Sequence, residues 1–133
     1  MPKLDMIGLV VEDIPTSLRF YRRLGLDVPE PDAGEPYVET TLPGGIRLSW
    51  NAAAMIKEIA GESWTPPTGQ RMGLAFLCDT PAQVDELHSD LVASGYRSER
   101  EPWNAFWGQR YAQVVDPDGM VVDLFAPLSQ SPQ

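Results

Sequence analysis

Three large aromatic side chains fall within five positions of a stretch punctuated by proline and glycine, PWNAFWGQR at residues 102–110. They are Trp103, Phe106 and Trp107. Indole and phenyl faces offer a flat guest dispersion contact and offset stacking, and they lose little rotamer entropy when they are fixed. Pro102 and Gly108 predict a loop here. We therefore expect the stretch to be the lid of a binding cleft.

Polar and aromatic residues elsewhere in the chain have the chemistry to orient a guest. Asn104 and Gln109 flank the lid and carry amide donors and acceptors. Arg47 and Ser49 alternate along a predicted strand, so their side chains share one face. The expected ligand-binding residues are Tyr37, Arg47, Ser49, Trp50, Trp103, Asn104, Phe106, Trp107 and Asp123. An alternative is that the same rings cover a sheet edge or fill a dimer contact.

Residues for covalent or acid–base chemistry are few. His88, the only histidine, lies within a predicted helix beside charged residues, and we expect it to be solvated. The sequence has no Gly-x-Ser-x-Gly elbow and no glycine-rich phosphate loop. Asp123 is open to an acid–base role or to a hydrogen bond with a ligand or Ser49. Cys78, the only cysteine, lies in the apolar run LAFLC, which predicts an inert buried thiol.

Composition narrows the classes of partner. The 133 residues suffice for one domain with its own core, and no apolar run predicts a membrane span. The N-terminal residues lack the features of a secretory signal, so we expect a cytoplasmic protein. A net charge of −9 disfavours nucleic acid and favours neutral or cationic ligands.

The elements that must position these residues occur in the same order twice. In the first half, a strand in LDMIGLVV precedes a helix that has Pro15 in its first turn and Gly25 as its cap. Further strands are predicted at 26–28, 37–42 and 46–50.

The same order returns 66 residues later, with Met6 on Met72 and Asp13 on Asp79. A strand in RMGLAFLC precedes a helix that runs from the cap Thr80 to Gly95. Strands near 96–98, at 109–115 and at 120–125 complete this copy, which carries a net insertion that holds the aromatic loop.

Two βαβββ repeats predict an α+β fold in which a curled mixed sheet surrounds a cleft. We expect one domain over 1–133. Its parts are a first unit at 4–50, a linker at 51–70, a second unit at 71–126 and a tail at 127–133.

Over residues 4–126, the repeats, the helix entry VVEDIPTSLRFYRRLGL and the closing DPDGMVVDLF resemble the vicinal oxygen chelate superfamily, which includes glyoxalases, dioxygenases and bleomycin resistance proteins. GGIRLSW, PWNAFWGQRYA and DPDGMVVDLFAPL are most similar to its antibiotic-binding members of the mitomycin and bleomycin resistance type. The resemblance implies that enzymes of the superfamily hold a divalent cation at four positions, which here are Met6, Ser49, Met72 and Asp123. Only Asp123 is an ordinary ligand for such a cation, so we expect no metal and no cofactor.

In the drug-binding members, the resemblance implies that a flat ring system stacks between a loop tryptophan and a strand aromatic where two subunits meet. Trp107 and Tyr37 match these positions. We therefore expect a homodimer that sequesters a flat aromatic small molecule, such as an antibiotic, without catalytic residues. The alternatives are a metal-dependent lyase, isomerase or dioxygenase with atypical ligands, and an interaction module whose Trp loop docks a protein.

Overall fold

The computed structural model describes residues 1–70 and 72–128. Within these residues the chain is an α+β protein with three helices and two sheets of mixed strand direction. Contacts group it into two compact units, Met1–Thr68 and Gly69–Gln133, and each unit is described by itself. None of the helices described is long and apolar enough to cross a membrane.

The first unit contains one three-stranded sheet and two helices. Its elements are β1 (Met6–Val11), α1 (Ile14–Arg23), β2 (Tyr37–Thr41), β3 (Arg47–Ala52) and α2 (Ala53–Ala60). The sheet order is β1-β3-β2, in which β1 is parallel and β2 antiparallel to β3. Helix α1 begins at Ile14 because the Asp13 carboxylate accepts a hydrogen bond from the Thr16 N–H at 3.1 Å.

Alternate residues of the first sheet form a buried core with α1. Leu48 and Trp50 of β3 are buried together with Phe20 and Tyr21 of the helix. The rings of Tyr21 and Trp50 meet edge to face, 5.8 Å between centroids. Trp50, one of the expected ligand-binding residues, has no exposed surface. It follows the same strand alternation that buries Leu48.

The predicted strand at 26–28 does not form. Leu26 donates its N–H to the Tyr21 carbonyl, closing the turn that follows α1. The prolines at 29 and 31 lack the N–H that a ladder requires, and this explains why no strand propagates from Val28. Val28 is buried nonetheless.

The second unit is a four-stranded sheet with one helix. Its elements are β4 (Leu74–Leu77), α3 (Pro81–Ala93), β5 (Arg97–Ala105), β6 (Gln109–Val115) and β7 (Val121–Pro127). The sheet order is β4-β7-β6-β5, so β5 is an edge strand. Helix α3 is capped by Thr80, whose hydroxyl accepts from the Gln83 N–H at 3.1 Å. It packs on one sheet face through Val84 and Leu91.

The predicted aromatic loop is wrong: most of it is strand. Strand β5 continues through Pro102 and Trp103 to Ala105, and only a tight turn separates it from β6. Proline is tolerated because β5 lies at the edge of the sheet and its register shifts there. Gly108, with φ of 92°, closes the turn in a conformation that favours glycine.

The predictions for Cys78 and His88 had different outcomes. Cys78 is buried and free, as predicted. His88 was predicted to be solvated, and that is wrong: it is buried, and its Nε2 lies 2.8 Å from the Ser98 hydroxyl of β5. Most of the predicted tail, Ser129–Gln133, lies outside the described residues, while Pro127 belongs to β7.

Candidate functional site

The second sheet has one face covered by α3 and one face that we call the open face. Cross-strand pairing places four apolar side chains in a row over all four strands of the open face: Leu77, Phe125, Tyr111 and Trp103. Leu77 is 67% exposed, and the three rings are partly exposed. An aromatic row with this much contact with solvent is typical of a surface that meets a ligand or partner.

The rings of the open face form one edge-to-face cluster. Tyr111 lies 5.5 Å from Trp103 and 5.3 Å from Trp107 between centroids, and the two tryptophans lie 6.1 Å apart at 89°. Phe125 stacks near Tyr111 at 6.1 Å with 29° between the planes. At these separations the rings touch each other, so a flat guest has no slot between them. It has to lie on their outer faces.

The turn between β5 and β6 brings two further rings to this cluster. Trp107 is 49% exposed, and its indole Nε1–H donates to the Gln109 Oε1 at 2.8 Å. This bond fixes the indole orientation. Phe106, at the tip of the turn, is 96% exposed and meets Trp107 edge to face at 5.0 Å.

Asp123 lies on the same face, next to the aromatic row. It is paired across the sheet with Gln113 of β6 and Ala75 of β4. Its Oδ2 accepts from the Tyr111 hydroxyl at 2.5 Å, and its Oδ1 accepts from the Gln113 Nε2 at 2.9 Å. The carboxylate is therefore held in one orientation, and each oxygen keeps a lone pair for another donor.

The surroundings of Tyr111 change the pKa of its phenol. Burial, followed by the hydrogen bond to Asp123 and the charge of that carboxylate, raises the pKa of Tyr111 to about 12. The phenol is a hydrogen-bond donor to Asp123 throughout the neutral pH range. It is not a general base.

A shift in register puts Arg100 and Trp103 on the same face. Arg100 pairs with Gln113 and Trp103 with Tyr111, so three steps along β5 correspond to two along β6. Such an extra residue is a β-bulge. Because of it, the Arg100 guanidinium carbon sits 3.7 Å from the centroid of the Trp103 ring, a cation–π contact.

Asn104, expected to orient a guest beside the tryptophans, lies on the opposite side of the sheet. Its Oδ1 accepts from the Arg110 Nη1 at 2.9 Å, and the same guanidinium pairs with Asp85 of α3 through two bonds of 2.9 and 3.1 Å. Asn104 therefore stabilises the packing of helix and sheet. Alternation along β5 explains this, because neighbouring residues face opposite sides.

The candidate residues of the first unit form a separate network. The Tyr37 hydroxyl donates to the Glu39 Oε1 at 2.7 Å, and this bond is the main reason why the pKa of Tyr37 is raised. Arg47 bridges the Glu39 and Asp5 carboxylates at 2.8 and 2.5 Å. Ser49 is fully buried and accepts from the Asn51 Nδ2 at 3.1 Å. All three side chains that were expected to bind a ligand are engaged with their own unit.

The expected site omitted five residues of the open face, namely Leu77, Arg100, Tyr111, Gln113 and Phe125. A signal for three of them was present. Side chains at every second position of a strand share one face of the sheet. Because Asp123 was expected to face a cleft, Phe125 should have been placed on the same face, together with Tyr111 and Gln113, which pair with these two residues from β6. No such signal existed for Arg100, since the bulge decides which face of the sheet its side chain occupies.

The side chains at the four cation-holding positions of the superfamily do not fit a divalent ion. Met6 offers a thioether, whose sulfur lies 3.2 Å from the Tyr37 hydroxyl oxygen, and Met72 offers another. Ser49 is buried and bonded to Asn51. Thioethers suit soft metals, whereas these enzymes use hard or borderline ions. In residues 1–70 and 72–128, no three histidine, cysteine or acidic side chains gather in a way that could hold an ion.

Comparison with known proteins agrees with this architecture. The model of the Glyoxalase/Bleomycin resistance protein/Dioxygenase superfamily matches residues 3–124. No curated protein matches significantly.

Solved structures share the fold. A glyoxalase/bleomycin resistance protein/dioxygenase family enzyme from Burkholderia phytofirmans PsJN has a TM-score of 0.80 at 20% identity, covering 96% of this chain and 100% of that one. An Agrobacterium tumefaciens protein solved by NMR has a TM-score of 0.72 at 27% identity, with 97% and 100% covered. A lactoylglutathione lyase from A. tumefaciens has a TM-score of 0.65 at 19% identity, with 93% and 92% covered. With nearly the whole chain matched by the family model, the protein belongs to the glyoxalase/bleomycin resistance protein/dioxygenase superfamily.

Proposed function

We propose that this protein binds and sequesters a flat aromatic small molecule on the open face of its second sheet, without turning it over. The observation that carries the proposal is the cluster of partly exposed rings at Trp103, Trp107 and Tyr111 beside the oriented carboxylate of Asp123. Stacking on an indole contributes about 0.5–1.5 kcal/mol beyond area burial. Further support comes from the resemblance of PWNAFWGQRYA to the mitomycin resistance protein.

The site is suited to recognition more than to catalysis. Tyr111 holds its proton through neutral pH, and Asp123 is committed to two hydrogen bonds. A ligand that stacks on the cluster gains dispersion contact and one or two hydrogen bonds at the carboxylate. Tyr111, which keeps its own proton, cannot take one from the ligand.

Isothermal titration calorimetry and tryptophan fluorescence test the proposal with a panel of mitomycin-type quinones and DNA-intercalating aromatics. We expect at least one ligand to bind with about micromolar affinity, as two stacking contacts and a hydrogen bond allow. Trp107→Ala should weaken it about tenfold, because about 1.4 kcal/mol of contact is lost. Val92→Ala is the matched control: Val92 is an exposed apolar residue of α3, the helix on the other sheet face.

An unaltered affinity in Trp107→Ala, or no binding across the panel, would refute the proposal. The competing class, a metal-dependent enzyme with atypical ligands, is separated by elemental analysis of protein purified without chelator. Stoichiometric zinc, iron, manganese or nickel that is lost in Asp123→Asn would favour it. The expected homodimer belongs to the same proposal, and light scattering during gel filtration measures it.

A further inference from the structure

Asp123 is an acidic residue of the open face that has no ion-pair partner among residues 1–70 and 72–128. Its hydrogen-bond partners, Tyr111 and Gln113, are neutral donors. By contrast, Asp85 on the helix side of the same sheet is paired with Arg110. A cationic guest would give the Asp123 carboxylate the partner of opposite charge that Asp85 has in Arg110.

The neighbouring aromatic surface already holds a planar cation. The guanidinium of Arg100 lies over the Trp103 ring, 3.7 Å from its centroid. Guanidinium and indole attract each other through the ring quadrupole, which favours a positive charge over the ring face. The position of Arg100 therefore shows how a flat cation can lie on this surface.

We propose that the ligand of the open face is a planar aromatic cation, which stacks on the tryptophan cluster and donates a charged N–H group to Asp123. This inference rests on the proposed function and narrows it to one ligand class. Trp103 and Asp123 lie on strands two places apart and are offset by two residues along the strand, so their backbones are about 12 Å apart at the usual strand spacing and rise. A fused ring system stacked on Trp103 and Tyr111 has an edge beside the Asp123 carboxylate, which the Tyr111 hydroxyl already contacts.

Ligands of other charge fit less well. An anion meets the Asp123 carboxylate and a chain with net charge −9. A neutral ring stacks equally well but leaves the carboxylate without its counter-charge. The protein therefore selects for charge at Asp123 and for shape at the rings.

Arg100 competes with such a ligand. It covers one face of Trp103 and presents a like charge to an incoming cation. Removing the guanidinium exposes the indole face and strengthens the local negative potential. Arg100 and Asp123 thus act in opposite directions on the same equilibrium.

The test uses three ring systems of similar size and different charge: 9-aminoacridine, which is a cation at neutral pH, acridine, which is neutral at slightly alkaline pH, and 9-anthracenecarboxylate, an anion. Calorimetry at pH 8 gives their affinities for the full chain. We expect 9-aminoacridine to bind about tenfold more tightly than acridine, as a charge-assisted hydrogen bond provides, and the anion to bind most weakly.

The variants separate the two roles. Asp123→Asn keeps the shape of the side chain and should bring 9-aminoacridine and acridine to nearly equal affinity. Arg100→Gln should tighten 9-aminoacridine binding, by about threefold for one exposed cation–π contact. Glu86→Gln removes the same charge as Asp123→Asn from an exposed position on α3 and should change neither ratio. Circular dichroism confirms that each variant is folded.

Each outcome decides something. If acridine and 9-aminoacridine bind equally to the unaltered protein, the inference fails and the proposed function stands. If Arg100→Gln weakens 9-aminoacridine binding, Arg100 is a ligand contact and not a competitor, which overturns that part of the argument. If none of the three ring systems binds, and the quinone panel also fails, the proposed function itself is refuted.

Discussion

Replacing Asp123 with asparagine should lower the pKa of Tyr111. In the unaltered protein, burial first, and then the hydrogen bond and charge of Asp123, raise this pKa to about 12. An ordinary tyrosine has a pKa of about 10. Asparagine keeps an oxygen that accepts from the phenol but carries no charge, and the burial of the ring is unchanged. The pKa of Tyr111 should therefore move towards the ordinary value without reaching it.

The stability of the fold should follow the same shift. Because the pKa of Tyr111 is higher in the folded state than in the unfolded state, its contribution is fully present below pH ~10 and is lost as the pH rises towards 12. A difference of about two in pKa corresponds to at most about 2.7 kcal/mol. Solvent screening at a partly exposed ring reduces this to about 1 kcal/mol. The Asp123→Asn variant should lose less of its stability over this range.

Phenolate absorbance in the near ultraviolet, measured against pH, checks this prediction. The chain has four tyrosines, so the curve of Tyr111 is obtained by subtracting that of Tyr111→Phe, in both backgrounds. Tyr37 is the internal control, since its raised pKa comes mainly from Glu39 and should not respond to Asp123→Asn. A Tyr111 that titrates near pH ~10 in the unaltered protein, or at the same pH in both backgrounds, would refute the reasoning.

Three further predictions concern the cores of the two units. Trp50→Ala should destabilise the protein by about 3–5 kcal/mol in urea unfolding, because a fully buried indole leaves a cavity; a loss below about 1 kcal/mol would contradict its burial. Burial raises the pKa of the Cys78 thiol, so a thiol-specific reagent should react with it only after unfolding, and rapid labelling of native protein would speak against this. His88→Ala should cost about 1–3 kcal/mol, because Ser98 loses its partner; Ser98→Ala in the same background should then add little, and additive losses would argue against the bond.

The two repeats could be read from the sequence because their signals are local. Pro15 and Pro81 fall in the first turns of helices, and Asp13 and Thr80 cap them as expected. The α+β class follows from this repeated order. The strand at 26–28 was predicted from composition alone, and two prolines that follow it prevent the ladder from extending.

The candidate site was only partly predictable, because strand register decides which face of the sheet a side chain occupies. Trp103 and Trp107 were identified by residue type, yet Pro102 misled the prediction of a loop, since an edge strand tolerates proline. Trp50 was expected to contact a ligand, but the alternation of side chains along β3 directs it into the core. His88 was expected in solvent because its sequence neighbours are charged, and its buried partner Ser98 comes from a strand ten residues later.

The bulge in β5 decides which side of the sheet the residues beyond it occupy. Arg100 and Trp103 share the open face although they are three positions apart, because the bulge absorbs one extra residue. Deleting one residue between them would leave two steps on each strand, so Trp103 would still pair with Tyr111 and Asn104 would stay on the helix side. A descendant of this protein could therefore lose one codon at this point and keep its aromatic surface.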